Sequence, residues 1–225
     1  MTSEDLSILA LTVAAALAST LIILVPGLAV AWALARWRGP GKTWVETLLS
    51  LPLVLPPTAV GVVLLELLAP RGGLGEALER LGISVVFTWK AVVVAAATMS
   101  FPFLVRSART AFEEVNPRLL GAARTLGKGP FAVFWRVALP LAWRGVLAGT
   151  VLSFSRALGE FGATIVIAGN IPGRTQTLAL AIFHRYQLGQ DGQALRLVAL
   201  STALAFLGIG VTEWVTRRRG ARFSV

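Results

Sequence analysis

Arg156 and Glu160 stand where charge is least expected. Both lie inside an apolar stretch, four residues apart, which on a helix puts them on one face. Charge at membrane depth is costly and usually faces a protein interior or a water-filled path. Three roles fit: an ion pair that neutralises both and ties this stretch to a neighbour, a guide for an anion, or a part of a gating motion. Gly39-Pro40-Gly41-Lys42-Thr43 ends like a phosphate-binding loop. That loop requires G-x-x-x-x-G-K-[ST], and Arg36 occupies the place of its first glycine. Any ATP chemistry therefore belongs to a partner. The chain has no Cys and a single His, His184. Thiolate chemistry, disulfides and an H-E-x-x-H metal site are excluded. No G-x-S-x-G is present for a serine nucleophile, and only one acid, Glu160, is deep enough for a paired-carboxylate reaction. The expectation is a chain with no catalytic set, no metal and no cofactor of its own. An intramembrane lipid-modifying enzyme stays as an alternative, with only Arg156 and Glu160 to serve it.

The elements that carry these residues are membrane helices. Hydrophobic residues make up 56% of the 225 residues and charged ones 14%, against roughly 25% charged in a soluble domain. Mean hydropathy is +0.74. The apolar residues fall in five blocks, at about 6–35, 46–68, 83–105, 146–168 and 197–215. About 20 helical residues cross the hydrocarbon, and backbone groups in lipid must bond within their own segment. The fold expected is an all-α integral membrane protein, with residues 1–225 forming one transmembrane domain of five helices. The acidic start and long apolar run of the first block argue against a cleaved signal peptide. A stretch at 175–188 is read as dipping partway into the membrane without crossing it. Within the second block, Leu51-Pro52-Leu53-Val54-Leu55-Pro56-Pro57-Thr58 loses three backbone donors to proline. Such breaks line transport paths or serve packing, and Pro56 and Pro57 are candidates for either.

Orientation follows from the basic residues. The formal charge is +10, and fourteen of the 21 Lys and Arg lie in two loops and the tail. These are Arg36, Arg38 and Lys42; Arg106, Arg109, Arg118, Arg124, Lys128, Arg136 and Arg144; and Arg217, Arg218, Arg219 and Arg222. The positive-inside rule places them in the cytoplasm, with the N-terminus out and the C-terminus in. Trp37, Trp44, Trp143 and Trp214 flank the same ends, as an aromatic belt would. The charge is thus a topology signal and does not indicate nucleic acid.

The inner loop at 106–144 is the largest piece outside the membrane. Asn116 suits an N-cap and Pro117 the first helical position. Leu119, Leu120, Ala123 and Leu126 share one helical face. Gly127 suits a left-handed stop. Gly129 and Pro130 start a second helix, which Pro140 is expected to end. The product is a basic, amphipathic helix pair at the membrane surface. It either rests among anionic headgroups or docks a cytoplasmic protein.

The loop reads Gly121-Ala122-Ala123-Arg124-Thr125-Leu126-Gly127, then nine residues, then Val137-Ala138-Leu139-Pro140. This resembles the E-A-A-x3-G-x9-I-x-L-P signature of permease subunits of bacterial ABC importers, with Gly121 in place of the Glu. Leu51 to Thr58, Phe154-Ser155-Arg156-Ala157-Leu158-Gly159-Glu160-Phe161-Gly162-Ala163-Thr164, and Gly169-Asn170-Ile171-Pro172-Gly173-Arg174-Thr175-Gln176-Thr177-Leu178 are similar to molybdate permeases. Sulfate permeases share the Arg-Ala-x-Gly-Glu core. The resemblance implies a type I ABC importer permease of the bacterial inner membrane, importing molybdate, with tungstate or sulfate as alternatives. It implies a homodimer that forms the path, two ATPase subunits that bind ATP and Mg, and an extracytoplasmic oxyanion-binding protein, all in membrane lipid. Ala122, Ala123, Arg124, Leu126 and Gly127 would form the coupling helix and its turn, with Leu139 and Pro140 anchoring the second helix.

Overall fold

The computed structural model describes residues 3–71 and 73–220, with the side chains of 209 and 211–220 outside the description. Arg222 of the basic tail therefore lies outside the described residues, as do the side chains of Trp214, Arg217, Arg218 and Arg219. The described residues are helical, with no strand.

Helix α1 spans Ser3–Arg36, about 50 Å at 1.5 Å per residue. Glu4 and Asp5 sit in its first turn and Arg36 in its last, each sign matching the helix dipole. Helix α2 (Lys42–Val54) and α3 (Pro57–Leu68) divide the second apolar block, and they meet at 109°. Leu55 is extended, with φ −67° and ψ 143°, as a residue before proline prefers. Pro57 then opens α3 at a position that needs no donor. Helix α4 (Gly73–Arg80) occupies the following loop.

The third block differs from its expected bounds of 83–105. Helix α5 runs Trp89–Glu113. It starts later because the Thr88 side chain accepts the Lys90 N–H at 3.2 Å, an N-cap. It continues past Val105 because Val105, Ala108, Ala111 and Phe112 keep a buried face. Arg106 and Arg109 are therefore helical and not part of a loop.

Helix α5 is the central rod, packed between α1 and the helix that follows the inner segment. Small residues bring these rods close, as membrane packing requires. A side chain at Gly27 would meet Leu104 at 2.6 Å, and one at Gly145 would run into the Ala111 Cβ. Ser107 Oγ donates to the Gly145 carbonyl at 3.0 Å, and Ser153 Oγ donates to the Ser100 carbonyl at 3.1 Å. The Gly145–Gly149 spacing is thus a packing seam.

The inner segment holds α6 (Pro117–Thr125) and α7 (Pro130–Val133). Pro140 does not end the second helix. A π-turn at Phe134–Ala138 joins α7 to α8 (Leu139–Leu158), so that one helix runs Pro130–Leu158. The Leu139 N–H reaches five residues back, to the Phe134 carbonyl. That wider turn makes room for the proline ring, which in an α-helix strikes the carbonyl four residues before it. The fourth block, expected as one span at 146–168, breaks after Leu158 and resumes as α9 (Gly162–Ile167).

Helix α10 (Leu178–Gln187) covers the stretch expected to dip into the membrane. Its ten residues reach about 15 Å, too short to cross. The Leu178 N–H donates to Thr12 Oγ1 at 2.8 Å, and Arg185 pairs with Asp5 at 3.0 Å, so α10 is clasped to α1. Helix α11 (Asp191–Gly220) contains the fifth block. Among the described residues, three helices are long and apolar enough to cross a membrane, or four if α2 and α3 form one bent span.

Candidate functional site

The sequence-predicted residues fall in two places. The first is α6 and its turn. Asn116 Oδ1 accepts the Arg118 N–H at 2.9 Å, and Pro117 follows as the first helical residue. At the other end Gly127 takes φ +75°. Its N–H donates to the Arg124 carbonyl at 2.9 Å, and the Lys128 N–H donates to the Ala123 carbonyl at 3.1 Å. This is a Schellman cap, and glycine serves it without strain.

Apolar residues of α6 divide between two environments. Leu120 is fully buried among Phe112, Val115, Val133 and Ala138, with Ala123 half-buried beside it. Leu119 and Leu126 are exposed, Leu126 by 79%, as is Phe131 of α7, by 76%. The single shared face expected for Leu119, Leu120, Ala123 and Leu126 is therefore two faces, one inward and one bare. Ala122, Arg124 and Gly121 lie on exposed positions. A Cβ at Gly121 would meet nothing within 4 Å, so the motif's Glu would fit there. Leu139 packs on the same cluster as Leu120, while Pro140 is exposed.

The second place is a junction of two broken helices. Gly162 and Gly61 bring α3 and α9 together: a Cβ at Gly162 would meet the Pro57 Cβ at 2.6 Å, and one at Gly61 would meet backbone atoms of Ala163 at 2.9 Å. Pro56 and Pro57, both exposed, thus stand beside the break that holds Glu160. Glu160 is 2% exposed. Its Oε2 lies 2.6 Å from an Arg156 guanidinium nitrogen, and its Oε1 accepts the Ala163 N–H at 2.8 Å. The pair forms, but not on one continuous helix face. Arg156 is in the last turn of α8, and Glu160 lies in the gap, facing the positive end of α9. Thr164 Oγ1, Asn170 Oδ1 and Thr177 Oγ1 are buried nearby in the chain with no hydrogen-bond partner among the described residues. Such atoms cost about 1–3 kcal/mol each unless something polar reaches them.

Sequence reasoning missed a third group. Lys42 lies 3.1 Å from Glu113 and 3.6 Å from Glu46, and Arg109 pairs with Glu46 and Glu113. The network ties the start of α2 to the end of α5 beside a cavity of about 100 Å³ lined by Ser50 and Arg106. No local pattern marks these partners, which are distant in the chain. Lys42, the lysine of the apparent phosphate-binding loop, is thereby held by carboxylates.

Known proteins resemble this chain along most of its length. Residues 24–220 match the family described as the binding-protein-dependent transport system inner membrane component. The chain is 47% identical over 193 residues to the molybdenum transport system permease protein ModB of Escherichia coli, covering 85% of this chain and 84% of that one. It is 44% identical over 161 residues to the sulfate transport system permease protein CysT of Escherichia coli, covering 72% of this chain and 58% of that one. Among solved structures, a chain of the inward-facing MetNI methionine ABC transporter superposes with a TM-score of 0.75 at 17% identity, covering 97% of this chain and 99% of that one. The chain belongs to the inner membrane component family of binding-protein-dependent transport systems, and it has the fold of an ABC importer permease.

Proposed function

We propose that this permease is the membrane-spanning subunit of an ATP-driven importer of molybdate in the bacterial inner membrane. Its nearness to ModB supports that cargo. Two copies form the path, each a single domain of five spans with the N-terminus out and the C-terminus in. Two ATPase subunits bind ATP and Mg and dock on the cytoplasmic face, and an extracytoplasmic binding protein delivers the oxyanion.

The observation that carries this reading is α6: a helix capped at both ends, seated by Leu120 and left bare at Leu119 and at its C-cap Leu126. A capped helix with an exposed apolar tip suits a groove on a motor subunit. Ala122, Ala123, Arg124, Leu126 and Gly127 form that contact, and Leu139 holds the base. ATP binding favours one arrangement of the docked pair over the other, and that difference moves the spans. The junction of α3 and α9, with Pro56, Pro57, Arg156 and Glu160, borders the path. The unpaired Thr164 hydroxyl of α9 is the donor there for a passing oxyanion. Arg156, paired with Glu160 but about a quarter exposed, offers the same anion a charged donor.

The test is co-expression with ATPase and binding-protein subunits, reconstitution, and uptake of radiolabelled molybdate with tungstate and sulfate as competitors. ATP-dependent uptake blocked by excess unlabelled molybdate is expected. Uptake competed by sulfate alone would transfer the assignment to sulfate, the reading that the CysT likeness supports. Turnover by the purified chain without an ATPase would instead favour an enzyme.

A further inference from the structure

A second surface carries its own information. Val25, Leu28 and Trp32 of α1 and Pro130, Phe131 and Trp135 of the α7 region line an apolar groove of about 420 Å³. Val25, Leu28 and Trp32 follow helical spacing, and Arg36 continues the same stripe one turn later. The Arg36 guanidinium sits over the Trp32 ring, 5.0 Å from its centre. Trp32 meets Phe134 at 5.5 Å, and Phe134 meets Trp135 at 5.3 Å. The groove is thus aromatic along its length and cationic at one end.

Arg36 does not stand alone there. Arg124 of α6 and Arg38 lie close enough to act on it as like charges. Among the described residues, no ion pair reaches Arg36, Arg38 or Arg124. Three gathered cations without a carboxylate invite an anion. The apolar groove below them lies on a helix read as lying in the bilayer. A second copy of this chain would bring further positive charge to the same end, and like charges disfavour that contact.

We propose that the groove holds one anionic phospholipid of the inner leaflet, with an acyl chain along Trp32 and Trp135 and its phosphate between Arg36 and Arg124. The choice of leaflet rests on the orientation proposed above, and the site does not depend on which ion is carried. The phosphate bridges α1 to the last turn of α6, so the lipid fixes the resting position of the coupling helix. The interfacial tryptophans supply the amphipathic walls that such a depth favours.

Tryptophan quenching by brominated phospholipids in proteoliposomes of the full chain tests this. The difference between the natural chain and a Trp32→Phe, Trp135→Phe variant isolates the groove from the other tryptophans. Brominated phosphatidylglycerol is expected to quench that difference signal at about thirtyfold lower mole fraction than brominated phosphatidylcholine, the preference expected of two arginines near a headgroup. Arg36→Gln with Arg124→Gln abolishes the preference, and Arg36→Lys with Arg124→Lys keeps most of it. High salt collapses it in the natural chain, a readout that needs no variant. Equal titrations for the two lipids would overturn the proposal. So would a preference that survives both the Gln variant and high salt, or self-crosslinking of a Val25→Cys variant that shuts quenching out.

Discussion

The α6 segment and the α3–α9 junction solve opposite problems. Helix α6 satisfies its own ends, with Asn116 at one and Gly127 at the other. It keeps spare apolar surface at Leu119 and Leu126. The junction is closed at its contact, where two glycines let backbones touch. It keeps a spare polar atom instead, at Thr164, and the loop that follows α9 keeps two more, at Asn170 and Thr177. On the proposed function, the first region is completed by a protein surface and the second by something polar and small. That division suits a subunit gripped at one end and traversed at the other.

The contrast is broken most severely at Glu160. Glu160→Ala leaves Arg156 without its partner and an α9 N–H without its acceptor. About 3 kcal/mol should be lost, the low end for a broken buried pair because Arg156 is partly wetted. A fall in thermal stability and in assembled complex is expected, with Glu160→Gln milder because it still accepts from Ala163. Unchanged assembly and uptake in the Ala variant would show that the junction is not held by charge.

Gly162→Val comes next. Its side chain would drive into Pro57, and overpacking of this kind costs about 1–3 kcal/mol. Uptake should fall while the ATPase still binds, since α6 is untouched. Loss of ATPase binding in pull-downs would mean that the two regions are not separable.

Gly127→Val is the smallest and most selective. Nothing lies within 4 Å of a Cβ there, so the cost is backbone strain alone, about 1–2 kcal/mol. The chain should fold, and ATP hydrolysis should continue while uptake drops. Full coupled uptake of radiolabelled oxyanion would remove the turn from the coupling mechanism.

Local chemistry explains what could be read in advance. Asn116, Pro117 and Gly127 act within one helical turn of themselves, so residue type and position suffice to place them. Pro56 and Pro57 announce the break of the second block for the same reason, while Pro52, expected to share in it, lies inside α2. Leu119 and Leu120 are indistinguishable by periodicity, because a pattern marks an apolar face without saying whether it meets its own fold or a partner. Pro140 misled because a π-turn, which needs only one longer reach from Leu139 to Phe134, absorbs a ring that normally ends a helix. The break at Gly159–Phe161 stayed hidden because glycine is common in membrane helices. Its cause is a cap from Glu160 that emerges only once α9 forms. The Lys42, Glu46, Arg109 and Glu113 network was invisible because its members meet only when α2 and α5 are packed.

The π-turn has a mechanical consequence. Because it carries Pro140 without interrupting the backbone, residues 130–158 form a continuous lever of roughly 43 Å. Its foot touches the segment beside α6, and its tip bears Arg156. On the proposed function, a tilt of a few degrees at the foot would sweep the tip, and the Arg156–Glu160 pair with it, sideways by a few ångströms.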